Sequence, residues 1–92
     1  MKRVRLFISG DVQGVSYRYR SSRKARELGL RGFVRNLYDG RVEVVVEGDN
    51  KEINEFLNFC KNSPGFSQVS RIEIKEEKEI DAPGFSNFDV RF

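Results

Sequence analysis

The chain has 92 residues, enough for one hydrophobic core and too few for two, so we expect a single domain over residues 1–92. With 38% hydrophobic and 34% charged residues, the composition predicts a soluble, cytoplasmic protein without a signal peptide or membrane span. The chain contains no histidine and one cysteine, Cys60. It therefore excludes histidine-dependent nucleophilic sites, histidine-ligated zinc and an intrachain disulfide.

Charge is distributed unevenly along the chain. Residues 1–41 hold 11 Lys and Arg against 3 Asp and Glu, whereas residues 42–92 hold 6 against 11, so the two halves carry +8 and −5. A basic half suggests an anionic partner, either a phosphate-bearing small molecule or nucleic acid. A solvated surface of mixed charge is an equally ordinary interpretation. Charge alone leaves these alternatives open.

The first half of the chain has strand and helix patterns in turn. Over residues 3–9, Val4, Leu6 and Ile8 alternate with Arg3, Arg5, Phe7 and Ser9, which predicts a first strand that ends at Gly10. Residues at helical spacing then predict a helix from Tyr17 to Leu28, stopped by Gly29. The residues on its buried face are Tyr17, Ser21, Ala25 and Leu28.

A hairpin is the next predicted feature. The segments 32–38 and 41–48 have the composition of two strands. Asp39 and Gly40 lie between them, and this pair is preferred in a tight primed turn.

A second helix and two strands complete the chain. Asp49 followed by Glu52 predicts a helix start, and Pro64-Gly65 a helix end. Strands are predicted over 69–75 and, more briefly, over 88–92. The apolar positions of this helix are Ile53, Phe56, Leu57 and Cys60.

The order of these elements is β-α-β-β-α-β with a short additional C-terminal strand. It predicts an α+β protein of the ferredoxin-like, split βαβ type, with an antiparallel-rich sheet and two helices on one face. Fold alone does not settle function, since this architecture hosts enzymes, metal carriers and RNA-binding modules.

The segment between the first strand and helix has the features of an anion site. Gly10 and Gly14 permit positive φ angles, so neighbouring backbone amides can point to one centre. The segment ends at a helix N-terminus, and Arg18 in the first turn offers a bidentate fork to phosphate oxygens. It lacks the spacing of a Walker A or GxGxxG motif. Without further context, a plain turn with a surface arginine is the simpler interpretation.

Two segments supply that context. Residues 10–18 (GDVQGVSYR) and 32–40 (GFVRNLYDG) closely resemble the two signature blocks of the acylphosphatase family, and the resemblance extends over nearly the whole chain. It implies a hydrolase acting on acid anhydrides, which converts acyl phosphates to a carboxylate and inorganic phosphate without metal or cofactor. By this resemblance, Arg18 and Asn36 are the catalytic residues: Arg18 binds the phosphate and Asn36 holds the attacking water. The phosphate-binding loop amides are those of Val12, Gln13, Gly14, Val15, Ser16 and Tyr17.

Three positions depart from the family pattern. Ser16 stands where glycine or another small or aromatic residue is frequent, Tyr17 where phenylalanine is usual, and Tyr38 where proline is common. None of them removes a side chain that the chemistry needs. Cys60 is interpreted as a core residue, because a cysteine phosphatase needs arginine six positions on, where Phe66 stands.

Two competing functions follow from the same residues. Residues 31–34 partly match an RNA-binding motif, but the third predicted strand has no aromatic residue, and Glu43 and Glu47 on it would repel a phosphate backbone. A regulatory or carbamoyl-phosphate-handling role is the other alternative, since acylphosphatase-like domains also occur within larger carbamoyl-transfer proteins. Because the chain ends with the domain, we expect a free-standing enzyme. We also expect a monomer that binds a small acyl phosphate, or inorganic phosphate or another anion in the loop, and neither nucleic acid nor membrane. A basic cluster at Arg20, Arg23, Lys24 and Arg26 either steers dianionic substrates or is a solvated helix face.

Overall fold

The computed structural model describes residues 1–62, 65 and 67–92. Its elements, in chain order, are β1 (Lys2–Asp11), α1 (Tyr17–Glu27), β2 (Arg31–Asn36), β3 (Val42–Gly48), α2 (Asn50–Lys61), β4 (Gln68–Glu79) and β5 (Phe88–Arg91). The strands form one sheet in the order β4-β1-β3-β2-β5. The β2–β5 pair is parallel and the other three pairs are antiparallel. The predicted ferredoxin-like α+β fold is confirmed.

The core lies between one face of the sheet and the two helices. Alternation along the strands places an apolar side chain on this face at every second position, and both helices turn an apolar stripe toward it. The predicted helix faces are therefore confirmed at their buried positions. The fully or almost fully buried residues of this layer include Val4, Leu6, Ile8, Val34, Val44, Val46, Tyr17, Ala25, Ile53, Phe56 and Phe88.

Tyr17 and Cys60 join the two helices inside this core. Both side chains are buried, and the Tyr17 hydroxyl donates a hydrogen bond of 3.1 Å to the Cys60 carbonyl oxygen. Burial raises the pKa of the Cys60 thiol to about 12, so the thiol stays protonated near neutral pH. The interpretation of Cys60 as a core residue is confirmed. Phe66, used in the same argument, and Pro64, predicted to end α2, lie outside the described residues.

The prediction that the first strand ends at Gly10 is wrong. β1 continues to Asp11, with a register shift against β4 between Ser9 and Gly10. Gly10 has a φ of 125°, and a Cβ placed there would lie 2.2 Å from the Gln68 carbonyl oxygen. Because Gly10 has no side chain, β4 can approach it closely at this β-bulge, and β1 continues to Asp11.

The predicted hairpin is confirmed, but its turn is not the primed type. The Gly40 amide donates to the Leu37 carbonyl oxygen over 3.2 Å, which places Tyr38 and Asp39 at the centre of the turn. Gly40 has a φ of 95°, whereas Asp39 is not among the residues with positive φ. A primed turn would need positive φ at both central residues. The turn is therefore not a primed one, and of its four residues, 37–40, only the last, Gly40, has positive φ.

Several element boundaries also differ from their predictions. The second strand ends at Asn36 rather than Tyr38, whose side chain is fully exposed in the turn. β4 begins one residue earlier than predicted, at Gln68, and ends four residues later, at Glu79. Asp49 occupies the N-cap of α2 as predicted, but its side chain makes no capping hydrogen bond.

The sheet face opposite the helices carries two buried carboxylates. Glu43 and Glu47 are each 1% exposed. Glu43 accepts a hydrogen bond of 2.7 Å from Arg5 and is also paired with Arg35. Glu47 accepts one of 2.7 Å from Arg3. These arginines offset the charge of both buried glutamates.

We predict that Tyr17→Phe lowers the free energy of unfolding by about 1 kcal/mol, because it removes one buried hydrogen bond between the helices. For a domain of this size, that change lowers Tm by about 4–8 °C, measurable by thermal unfolding. Tyr38→Phe is the matched control, since Tyr38 is fully exposed and should leave Tm unchanged. Equal Tm shifts in both variants would contradict the assignment.

Candidate active site

The direction of the strands brings the candidate residues to one edge of the sheet. β1, β2 and β5 run the same way, because β1 and β2 are both antiparallel to β3 and β5 is parallel to β2. Their carboxyl ends therefore lie beside the N-terminus of α1. A cavity of about 230 Å³ opens at this edge, and its walls include Val12, Gly14, Ser16, Tyr17, Arg18 and Asn36.

Two of the predicted loop residues do not line this cavity. The Gln13 side-chain amide donates to the Leu37 and Arg41 carbonyl oxygens, over 2.7 Å and 2.9 Å. Val15 packs against the core. Gln13 thus ties the loop to the turn that follows Asn36, a side-chain role that the sequence did not indicate.

The backbone of the loop has the geometry of an anion-binding nest. Gly14 and Ser16 have φ angles of 75° and 65°, and Val15 between them is not among the residues with positive φ. Such alternation turns successive amides toward one side. Ser16 is the N-cap of α1 and makes no side-chain cap, and the first turn of α1 contains no acidic residue. The first intrahelical hydrogen bond is donated by the Arg20 amide, so earlier amides of the turn have no helical partner.

Arg18 is held by the last residues of the chain. One guanidinium nitrogen, Nη1, donates a hydrogen bond of 2.8 Å to the Arg91 carbonyl oxygen. The guanidinium carbon also lies 4.7 Å from the centre of the Phe92 ring, a cation–π distance. A guanidinium has five N–H donors, so this arrangement orients Arg18 and leaves donors for an anion. The Arg91 contact was not predicted, because a backbone carbonyl has no sequence signature.

Asn36 is the last residue of β2 and is partly exposed to the cavity. Within the described part of the chain, its side-chain oxygen is the one buried side-chain polar atom without a hydrogen-bond partner. A buried acceptor without a donor is unfavourable. A donor that enters the cavity, such as a water molecule, would satisfy it.

Among the described residues, no three His, Cys, Asp or Glu side chains lie together as a metal-binding group. None of the described helices is long and apolar enough to cross a membrane.

Comparisons with known proteins identify the family of the chain. The family model described as Acylphosphatase matches residues 4–90. The chain belongs to the acylphosphatase family. It is 49% identical over 76 residues to an acylphosphatase of Methylococcus capsulatus, with 83% of each chain covered. It is 46% identical over 87 residues to one of Thermococcus kodakarensis, covering 92% of this chain and 96% of the relative. The crystal structure of acylphosphatase from Bacillus subtilis superposes with a TM-score of 0.92 at 34% identity, over the full length of both chains. The family expected from the sequence is confirmed.

We predict that Gln13→Ala lowers kcat by about tenfold to a hundredfold, because the loop and Asn36 lose their shared support and the reacting groups become misplaced. Loss of the two hydrogen bonds also lowers the free energy of unfolding by about 1–2 kcal/mol. Steady-state kinetics and denaturant unfolding measure the two effects. Gln68→Ala removes an exposed glutamine and is the control. A stability loss with unchanged kcat would show that Gln13 has no positioning role.

Proposed function

We propose that this acylphosphatase hydrolyses the carboxyl-phosphate bond of small acyl phosphates by direct attack of water, with Arg18 and Asn36 as its catalytic residues. The protein acts as a single-domain, cytoplasmic monomer and requires no nucleic acid, membrane or metal. The observation that carries the proposal is the single cavity in which Arg18, Asn36 and the loop around Gly14 meet.

The phosphate occupies the loop between β1 and α1. Backbone amides from Val12 to Tyr17 surround its oxygens, and the N-terminus of α1 favours negative charge at the same point. Arg18 adds a full positive charge and a fork of N–H donors. The buried Tyr17 side chain takes no part in this contact, so Tyr17 contributes only its backbone.

Asn36 positions the attacking water. Its side-chain oxygen has no partner among the described residues and can accept a hydrogen bond from water. An amide is not a strong base, so its contribution is to orient the water in line with the bond that breaks. A phosphate oxygen of the substrate accepts the proton that the water loses.

The chemistry needs no strong general acid. The water oxygen forms a bond to phosphorus as the bond from phosphorus to the acyl oxygen breaks, and the electron pair leaves with the carboxylate. A carboxylate departs without protonation, so the absence of histidine is no obstacle. What the protein supplies is position and stabilisation of charge on the phosphoryl oxygens.

We predict that Arg18→Ala and Asn36→Ala differ in their kinetics. Removal of one fixed charge-stabilising donor costs about 3–4 kcal/mol in the transition state, or about a hundredfold to a thousandfold in rate. Arg18→Ala should raise KM and nearly abolish kcat, because the guanidinium binds both substrate and transition state. Asn36→Ala should mainly lower kcat. Release of phosphate from acetyl phosphate, in the presence of a chelator, measures both.

Matched controls remove the same side-chain types from exposed positions. Arg71→Ala and Asn54→Ala, both outside the cavity, should retain wild-type kinetics. An equal loss of substrate affinity in the Arg18 and Asn36 variants would contradict separate roles. Absence of wild-type activity in the chelator would contradict the metal-free reaction.

A further inference from the structure

A second cavity adjoins the catalytic one on the surface of α1. It has a volume of about 290 Å³ and is lined by Tyr19, Arg20, Arg23, Lys24, Glu27 and Phe59. We call it the basic cavity. Tyr19 also lines the catalytic cavity, so one side chain forms a wall of both. A ligand held by its phosphate at Arg18 can therefore extend past Tyr19 into the basic cavity.

The helical period explains why only three of the four residues of the basic cluster face the basic cavity. Residues 20, 23, 24 and 27 fall within about 100° of one another around α1, whereas residue 26 lies about 60° outside this arc. Arg26 instead donates to the Phe88 carbonyl oxygen over 3.0 Å and lines a different cavity. The cations that face the basic cavity are thus Arg20, Arg23 and Lys24.

These three cations are poorly neutralised. Arg23 lies 3.7 Å from Glu27, a contact between two largely exposed side chains. The Lys24 nitrogen lies 5.8 Å from the centre of the Phe59 ring. Arg20 has no carboxylate partner among the described residues. Three positive charges face one carboxylate, so the cavity favours an anion.

We propose that the basic cavity is a subsite for a second anionic group at the far end of the substrate's acyl chain. The preferred substrates would then be acyl phosphates whose acyl chain itself ends in a carboxylate or phosphate. Arg20 and Arg23 pair with that distal anion, and the Tyr19 ring supports the chain between the two anionic ends. This inference rests on the proposed function, since it places the reacting phosphate at Arg18.

The experiment compares two substrates of equal chain length. Hexanoyl phosphate ends in a methyl group, and adipyl phosphate ends in a carboxylate. For the wild type, kcat/KM should be about threefold to tenfold higher for adipyl phosphate, as expected for two partly exposed ion pairs. In the Arg20→Gln/Arg23→Gln variant, that ratio should fall to about one.

A charge-matched control separates a subsite from general attraction. Arg71→Gln/Lys78→Gln removes an equal number of positive charges, two, from β4 and should retain the wild-type ratio of kcat/KM values. A wild-type ratio of one, or a ratio retained in the Arg20/Arg23 variant, would overturn the subsite. An equal fall in the control would also overturn it, because long-range attraction would then explain the preference. Hydrolysis of neither substrate by the wild type would overturn the proposed function itself, whereas normal hydrolysis of hexanoyl phosphate without preference would overturn only the subsite.

Discussion

The shared direction of β1, β2 and β5 is the constraint on which the site depends. Each strand contributes one component at its carboxyl end: the loop after β1, Asn36 on β2 and the Arg91 carbonyl on β5. The antiparallel strand β3 between β1 and β2 makes their common direction possible. If β5 ran the opposite way, Arg18 would lose the carbonyl and ring that hold its guanidinium. The arrangement of the candidate site is therefore a property of the topology as much as of the individual side chains.

Much of the fold was predictable from the sequence because hydrophobic periodicity is a local property. The alternation over 4–9 and the helical spacing from Tyr17 each reflect a face buried in the core. The boundaries were harder to predict, because they depend on pairing partners. Gly10 stops a strand by propensity, but here β4 approaches it closely and the strand continues through a bulge. β4 likewise continues beyond residue 75, since β1 remains alongside it for pairing.

The candidate site shows a similar division. Arg18, Asn36 and the loop are candidates because of a resemblance to a family, since motifs record side chains and glycines at fixed positions in the sequence. The groups that hold these residues in place have no sequence motif of their own. Gln13 was expected to contribute its amide, yet its side chain links the loop to the turn after β2. The Arg91 carbonyl could not be predicted, since every residue has one and only the fold selects which carbonyl faces Arg18.

The length and charge of β4 have a consequence for the behaviour of the protein in solution. β4 lies at the edge of the sheet and runs for 12 residues, long enough to template pairing with a strand of another molecule. Its last four residues are Glu76, Glu77, Lys78 and Glu79, all exposed, and a bulge interrupts its register with β1 between Arg5 and Leu6. A strand added along this edge would have to accommodate a concentrated row of carboxylates and an irregular backbone. The same segment that extends the sheet thus protects it from aggregation by edge-to-edge growth.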